Sequence, residues 1–269
     1  MPEYFDIHSH LNFKDFDVDR EEIIAKLQQE NIWINTVGTD LLTSQEAVAL
    51  AEKYENLFAT IGLHPKDEPT KTFDEKEFEK LVAHEKVVAI GETGLDYFVS
   101  PKHSEGRSLI SNEEKARQKI EFEKQIEFAV KHSKPLMIHC RAAYPDCLDI
   151  LHSKQKEYGE KIKANFHFFT EPIETAKRIL DLGFSVSFTG PITFSKELKE
   201  VVAYVPLERM MVETDAPFAA PAPYRGKRNN PLYVKEIVKK IAEIKSGHVD
   251  IIKKQLTENA ITFFGIKRV

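Results

Sequence analysis

Cysteine is scarce in this sequence: two residues among 269, Cys140 and Cys147. Two cysteines give no disulfide framework, which points to a reducing compartment, the cytoplasm. No apolar run approaches the roughly 18 residues that a membrane-crossing helix needs. The amino terminus also lacks the charged-then-apolar layout of a secretion signal. A cytoplasmic protein with no membrane role is therefore expected, and no obligate protein partner is readable. There is no short repeat and no low-complexity tract, so solenoids and disordered chains drop out. Charge of one sign is modest too. A net charge of −5 argues against a nucleic-acid surface spread over the whole molecule, so any phosphate contact must come from particular loops.

What is present is an ordinary share of apolar residues, 42%, beside 30% charged. That is enough for a large core in one domain over residues 1–269. Strand-like segments at 4–8, 32–37, 57–62, 87–91, 135–139, 164–168, 184–188 and 209–213 alternate with helix-like ones. The helices are expected near 20–30, 43–54, 73–84, 113–132, 143–157, 171–181, 195–203, 231–245 and 248–262. Eight strand–helix units in series predict an α/β fold closed as a parallel (β/α)8 TIM barrel. The one irregular stretch, about 99–112, falls where barrel enzymes place substrate loops.

Chemistry in such barrels sits at the carboxyl ends of the strands. His8, His10, His64, His139 and His167 all lie at or just past a strand end, whereas His84, His103, His132, His152 and His248 fall on helices or loops and read as solvated or packed imidazoles. On the first strand, alternation turns Phe5 and Ile7 one way and Asp6, His8 and His10 the other. Glu92 follows the fourth strand directly, and Glu213 and Asp215 share a face of the eighth, where one of them could support the other's site. Imidazoles and carboxylates converging from strands one, four, five, six and eight suit two-metal hydrolysis. His8, His10, Asp215 and one oxygen of Glu92 would hold one ion; His139, His167 and the other oxygen of Glu92 would hold a second. Asp215 is the expected general base. On ligand softness the ions could be Zn²⁺, Mn²⁺, Fe²⁺ or Ni²⁺.

The same residues carry a family likeness. Asp6-Ile7-His8-Ser9-His10, Gly62-Leu63-His64-Pro65, Gly91-Glu92-Thr93-Gly94-Leu95-Asp96-Tyr97, Ile138-His139-Cys140-Arg141, Glu213-Thr214-Asp215-Ala216-Pro217 and Pro223-Tyr224-Arg225-Gly226-Lys227-Arg228-Asn229 together resemble the TatD-type metal-dependent deoxyribonucleases. The resemblance spans nearly the whole chain. It implies a distorted (β/α)8 barrel of the metal-dependent hydrolase superfamily and two divalent ions, with Mg²⁺ or Mn²⁺ supporting activity. It further implies phosphodiester hydrolysis on DNA, as a 3′–5′ exonuclease on single-stranded or frayed ends. It supports His8, His10, Glu92, His139, His167 and Asp215 as ligands. Two features depart from the family pattern: His167 is followed by Phe168-Phe169-Thr170-Glu171 instead of a small residue and a Ser-Gly turn, and the loop after Tyr97 is long. Both bear on substrate preference.

For phosphate, Arg225, Lys227 and Arg228 leave the same barrel mouth as Asp215, and Arg141 shares a face with His139. His64 reads either as a contact to the leaving group or a phosphate oxygen, or as a core or turn residue. Tyr97 and Phe98 read either as ordinary packing residues or as candidates to stack on a splayed base, and Cys140 reads as a small buried apolar residue. A second function stays open on the same scaffold: an amidohydrolase or lactonase acting on a small cyclic amide or ester. Glu92, where many such enzymes carry a modified Lys, and the basic 225–228 loop weigh against it.

Overall fold

The computed structural model describes residues 1–66, 70–99 and 110–267. Eight strands pair in chain order into one parallel sheet: β1 Tyr4–Ser9, β2 Ile32–Val37, β3 Leu57–Ile61, β4 Val87–Asp96, β5 Leu136–Arg141, β6 Ala164–Phe166, β7 Ser185–Phe188 and β8 Met210–Val212. Nine helices lie between and after them among the described residues: α1 Arg20–Gln29, α2 Leu41–Lys53, α3 Glu75–Val82, α4 Asn112–Lys131, α5 Tyr144–Tyr158, α6 Ile173–Asp181, α7 Lys196–Tyr204, α8 Val234–Ile244 and α9 Val249–Phe264. This is the expected (β/α)8 barrel. The loop expected at 99–112 falls largely on residues 100–109, outside the described residues, and so does His103.

Local chemistry sets the element boundaries. Asp40 caps α2 reciprocally: its Oδ1 accepts from the Thr43 N–H at 2.8 Å, and its own N–H donates to Thr43 Oγ1 at 2.9 Å. Ser111 and Ser195 cap α4 and α7 in the simpler way. The helix expected from 231 instead opens with a 3-10 turn, Pro231–Tyr233, because Pro231 brings a fixed φ and no N–H to donate. Gly265, left-handed at φ 65°, ends α9.

Apolar side chains form two layers. The larger one lies between the sheet and the surrounding helices, with Ile34, Ile61, Ile90, Ile138, Phe166 and Val212 facing outward from the strands. The smaller one fills the amino-terminal half of the barrel with Phe5, Ile7, Phe58, Val88, Met137 and Met211, and α9 plugs that end with Ile261 and Phe264. Phe5 meets the rings of Trp33, Phe58 and Phe264 at 5.6–5.9 Å. Burial of each such side chain stabilises the fold by about 1.5–3 kcal/mol, and the plugged floor leaves the opposite end of the barrel for polar chemistry.

Two irregularities decide what that open end contains. Along β1, Asp6 pairs with Ile34 but Ser9 with Thr36, so three steps on β1 match two on β2. This bulge breaks the alternation expected from the sequence. Ile7 joins the inner apolar layer, yet His8 next to it also points inward, where it stacks on His167 at 4.1 Å. Asp6 is thereby turned away from the histidines. Its carboxylate instead accepts from the backbone N–H of Thr214 at 2.8 Å and from the Thr214 hydroxyl at 2.5 Å. The second irregularity is in β4, where Ile90 pairs with Leu136 but Thr93 with Ile138. Glu92 therefore lies within a ten-residue strand, not just beyond a shorter one, and the bulge aims it inward.

The seam between β1 and β8 closes at the same end. The Asp215 N–H donates to the His8 carbonyl at 2.8 Å, and the His10 N–H to the Ala216 carbonyl at 2.7 Å. β4 must also lie tight against β5. A Cβ on Gly94, whose φ is +139°, would stand 2.1 Å from the His139 carbonyl oxygen, so glycine is required there.

Candidate metal centre

Glu92 stands at the middle of the barrel mouth and divides its two oxygens between two pairs of imidazoles. Oε2 lies 3.5 Å from His8 Nε2 and 3.7 Å from His10 Nε2. Oε1 lies 2.9 Å from His139 Nδ1 and 2.8 Å from His167 Nε2. Asp215 joins the first pair, with Oδ1 3.6 Å from His8 Nε2 and 3.4 Å from His10 Nε2. All six ligand candidates from the sequence therefore meet in one place. His8, His10, Glu92, His167 and Asp215 are buried; His139 is half-buried.

Whether this group fits a cation can be tested on its nitrogens. His8 Nε2 and His10 Nε2 face each other at 3.3 Å, as do His139 Nδ1 and His167 Nε2. A single proton can lie between the members of each pair, whereas a cation accepts both lone pairs. The remote nitrogens agree with this. His10 Nδ1 donates to the Val37 carbonyl at 3.0 Å, which leaves Nε2 as the lone pair. His139 Nε2 donates to Asp96 Oδ2 at 3.1 Å, which leaves Nδ1 facing the centre. His167 Nδ1 faces Glu213 Oε1 at 3.4 Å, and His8 Nδ1 is buried without a hydrogen-bond partner among the described residues. Carboxylates and carbonyls behind ligating imidazoles fix ring orientation and raise basicity. The donor set suits a divalent cation.

Protonation follows the same geometry. Burial opposes a charge on Glu92, but the His167 charge and hydrogen bonds from His139 and His167 outweigh it and hold the carboxyl well below the usual range. Burial likewise opposes protonation of His139 and His167. It is overcome at His139 by Asp96 and Glu92, and at His167 by Glu92 and Glu213, so both are raised. His10 is raised by Asp215 against the same burial penalty. His8 is lowered by burial and by the nearby His167.

A family model described as TatD related DNase matches residues 5–265. The chain belongs to the TatD family. It is 40% identical over 268 residues to the metal-dependent hydrolase YabD of Bacillus subtilis, covering 97% of this chain and 99% of that protein. It is 34% identical to the metal-dependent hydrolase YcfH of Escherichia coli, covering 97% and 95%. Among solved structures, the TatD homologue YJJV from Escherichia coli superposes with a TM-score of 0.85 at 25% identity, covering 98% of this chain and 99% of that one. The chain is thus a metal-dependent hydrolase of the TatD family, and among its described residues no helix is long and apolar enough to cross a membrane.

In this TatD-family barrel, several groups beyond the six candidates surround the centre. Asp96 backs His139 and is held below its usual range by it, against burial. A signal for it existed in the sequence: Glu92, Gly94 and Asp96 alternate along one strand, but ending that strand at 91 hid the relation. Glu213 is wholly buried below His167, where Oε1 accepts from the Phe168 N–H and Oε2 from the Ser187 hydroxyl, each at 2.6 Å. Of the two acidic residues on β8 and its extension, Asp215 thus faces the first pair while Glu213 supports His167. Phe168 and Asp215 both hold left-handed backbone, at φ 49° and 53°, a cost of about 1–3 kcal/mol each that surrounding packing must offset.

The mouth opens into a cleft of about 620 Å³ lined by Glu92, His139, His167 and Asp215 together with His64, Lys66, Arg141, Phe13, Phe168 and Phe218. His64 Nδ1 accepts the Lys66 N–H at 3.0 Å, so in the neutral ring the proton sits on Nε2, 3.5 Å from Glu92 Oε1. Burial and the charge on His139 push His64 down to about 3. It is a neutral ring at the cleft wall, with Nδ1 closing a turn to Lys66 and the Nε2 proton turned toward Glu92. Arg141 stacks on Phe98 at 3.7 Å from Cζ to the ring. Lys66, missed in the sequence, reaches within 3.9 Å of Asp96. Cys140 is half-buried in the cleft wall, more open than expected.

The remaining candidates lie elsewhere. Arg225 stacks on Phe194 at 3.8 Å. Arg228 pairs with Asp19, 3.0 Å from Nη1 to Oδ1, and lies over the Phe16 ring. Lys227 is exposed. None of the three lines the cleft; Arg225 and Arg228 each have a partner on the barrel wall, and Lys227 faces solvent. The Tyr97 hydroxyl donates to Asp146 at 2.8 Å and the Arg141 guanidinium lies over the Phe98 ring, and neither aromatic lines the cleft.

Proposed function

We propose that this chain hydrolyses phosphodiester bonds in DNA by a two-metal mechanism, removing nucleotides from the 3′ end of single-stranded or frayed strands. The observation that carries the reading is the carboxylate of Glu92, shared between the His8/His10 pair and the His139/His167 pair at the mouth of a cleft with cationic residues on its wall. His8, His10, Asp215 and Glu92 Oε2 would hold one ion; His139, His167 and Glu92 Oε1 would hold the other. Divalent ions in these positions supply positive charge against the phosphoryl oxygens and ease the loss of a proton from water. Mg²⁺ or Mn²⁺ are the working ions, with Zn²⁺, Fe²⁺ or Ni²⁺ accommodated by the same imidazoles.

The protein's own groups divide the remaining work. Asp215, beside His8 and His10, accepts the proton of the attacking water. The Nε2–H of His64 and the cations of Lys66 and Arg141 receive the non-bridging oxygens and hold the phosphate against Glu92's end of the cleft. Asp96 and Glu213 keep His139 and His167 oriented. Support for a phosphodiester over a neutral cyclic amide comes from that cationic wall.

The test is to load the protein with Mg²⁺ or Mn²⁺ and assay single-stranded DNA, RNA, bis-p-nitrophenyl phosphate and a panel of cyclic amides and lactones. Shortening of DNA from the 3′ end is expected. Turnover confined to the amide or lactone panel would replace this reading with the amidohydrolase one.

A further inference from the structure

The cleft is two-sided. On the side of His139 stand the polar groups His64, Lys66 and Arg141; bordering His10 and His167 stand three phenylalanines. Phe13 lies flat against the His10 ring at 4.4 Å, and Phe218 meets the same ring edge-on at 5.9 Å. Phe168 stands edge-on to His167 at 6.4 Å. Phe13 already uses one face on His10, but Phe218 is 50% exposed and Phe168 is half-buried. An aromatic ring left half in water at the rim of a catalytic cleft contributes little to folding.

Phe168 is also the position at which this sequence departs from the family pattern. Its backbone is held in the left-handed region, with its N–H fixed on Glu213 Oε1. A bulky ring in that conformation is uncommon. The fixed backbone turns the side chain toward the cleft, not into either apolar layer.

Resting on the phosphodiesterase reading above, we propose that Phe168 and Phe218 form a stacking platform for the unpaired terminal base of the strand, with its phosphate held on the His64, Lys66 and Arg141 side. One nucleotide carries both chemistries: an anionic phosphate matching the cationic wall, and an apolar π-face matching the aromatic one. Stacking tolerates any base sequence, so the platform selects for unpaired ends instead of for particular bases. A terminal base inside a duplex keeps its own stacking and pairing partners and does not reach it.

The experiment uses the metal-loaded protein and a short single-stranded oligonucleotide with 2-aminopurine at its 3′ terminus and a phosphorothioate at the last linkage to slow hydrolysis. Stacking quenches 2-aminopurine, so binding to the wild-type protein is expected to dim it. Phe168→Ala and Phe218→Ala each abolish the quench and raise Kd roughly 5- to 150-fold. Phe218→Trp restores the quench, whereas Phe218→Leu, apolar but without a π-face, does not. In turnover of unmodified strands, the wild-type protein prefers a normal terminus over an abasic one, and the two alanine variants lose that preference. Equal cleavage of both termini by the wild-type protein, or restoration by leucine, overturns the platform and leaves the nuclease reading standing. Absence of any phosphodiester cleavage overturns both.

Discussion

His139 turns its Nε2 to Asp96, 3.1 Å away, and by doing so presents Nδ1 to Glu92. The carboxylate thus decides which face of the ring a cation meets. Asp96→Asn keeps the shape but weakens the acceptor behind the ring. Metal affinity at the His139/His167 position is expected to fall about 10–100-fold, read by calorimetric titration with Mn²⁺, while circular dichroism shows the metal-free barrel intact. Unchanged affinity would leave Asp96 with no part in presenting His139 to a cation.

Glu92 and Asp215 should be indispensable. Glu92→Ala and Asp215→Ala are expected to lower hydrolysis at least about 10³-fold, since each removes several kcal/mol of charge stabilisation at the reacting centre. Circular dichroism should show the barrel intact. Near-normal turnover from either variant would move the chemistry away from this cluster.

The pH response has two limbs. His139 and His167 are raised above their unfolded value, so the stability they contribute is full below about pH 6.5 and lost as pH rises through their folded values. Glu92 and Asp96 are lowered, so their contribution is present above the unfolded carboxylate range and lost as pH falls through the folded values. His64, pushed down to about 3, adds to the acid limb: the unfolded ring takes a proton that the folded ring refuses. The metal-free protein should therefore be most stable at mildly acid pH. Added metal should restore stability on the alkaline side, where protons no longer compete for the imidazoles. Thermal melts from pH 4 to 9, with and without chelator, read both limbs, and His64→Gln should make the acid limb shallower.

Salt dependence separates the cleft cations from those of the Pro-rich loop. Lys66→Ala and Arg141→Ala should each reduce the slope of log affinity against log salt for single-stranded DNA by about 0.7. Arg228→Ala should leave the slope unchanged and cost at most about 1 kcal/mol of stability, the range for a partly exposed ion pair such as that with Asp19. The reverse pattern would place the strand along the loop.

Gly94→Ala forces a methyl group to within 2.1 Å of the His139 carbonyl oxygen. A loss of about 1–3 kcal/mol is expected from overpacking, read as a lower denaturant midpoint, together with weaker metal binding as β5 is pushed back.

The period-two and helical patterns made the barrel legible in the sequence, because each strand and each helix carries its own local signal. The six ligand candidates were legible for a related reason, since they recur at strand ends where this architecture concentrates polar groups. Less visible was anything set by register. The bulges that turn Asp6 away from His8 and aim Glu92 inward depend on how β1 and β4 pair with their neighbours, and pairing is not a local property. Asp96 was hidden by a strand drawn too short. The local partners of Arg225 and Arg228 were not legible, because charge in a sequence says nothing of the Phe194 or Asp19 that the fold brings to meet it. Phe168 stood out as a departure, but only the cleft gave it a direction.

The seam between β1 and β8 ties Asp6 to Thr214, 208 positions later. During synthesis, then, His8 and His10 emerge first and wait for nearly the entire polypeptide before Asp215 arrives beside them. A chain that stops short of residue 215 carries five of the six candidate ligands and leaves the His8/His10 side of the centre without its carboxylate.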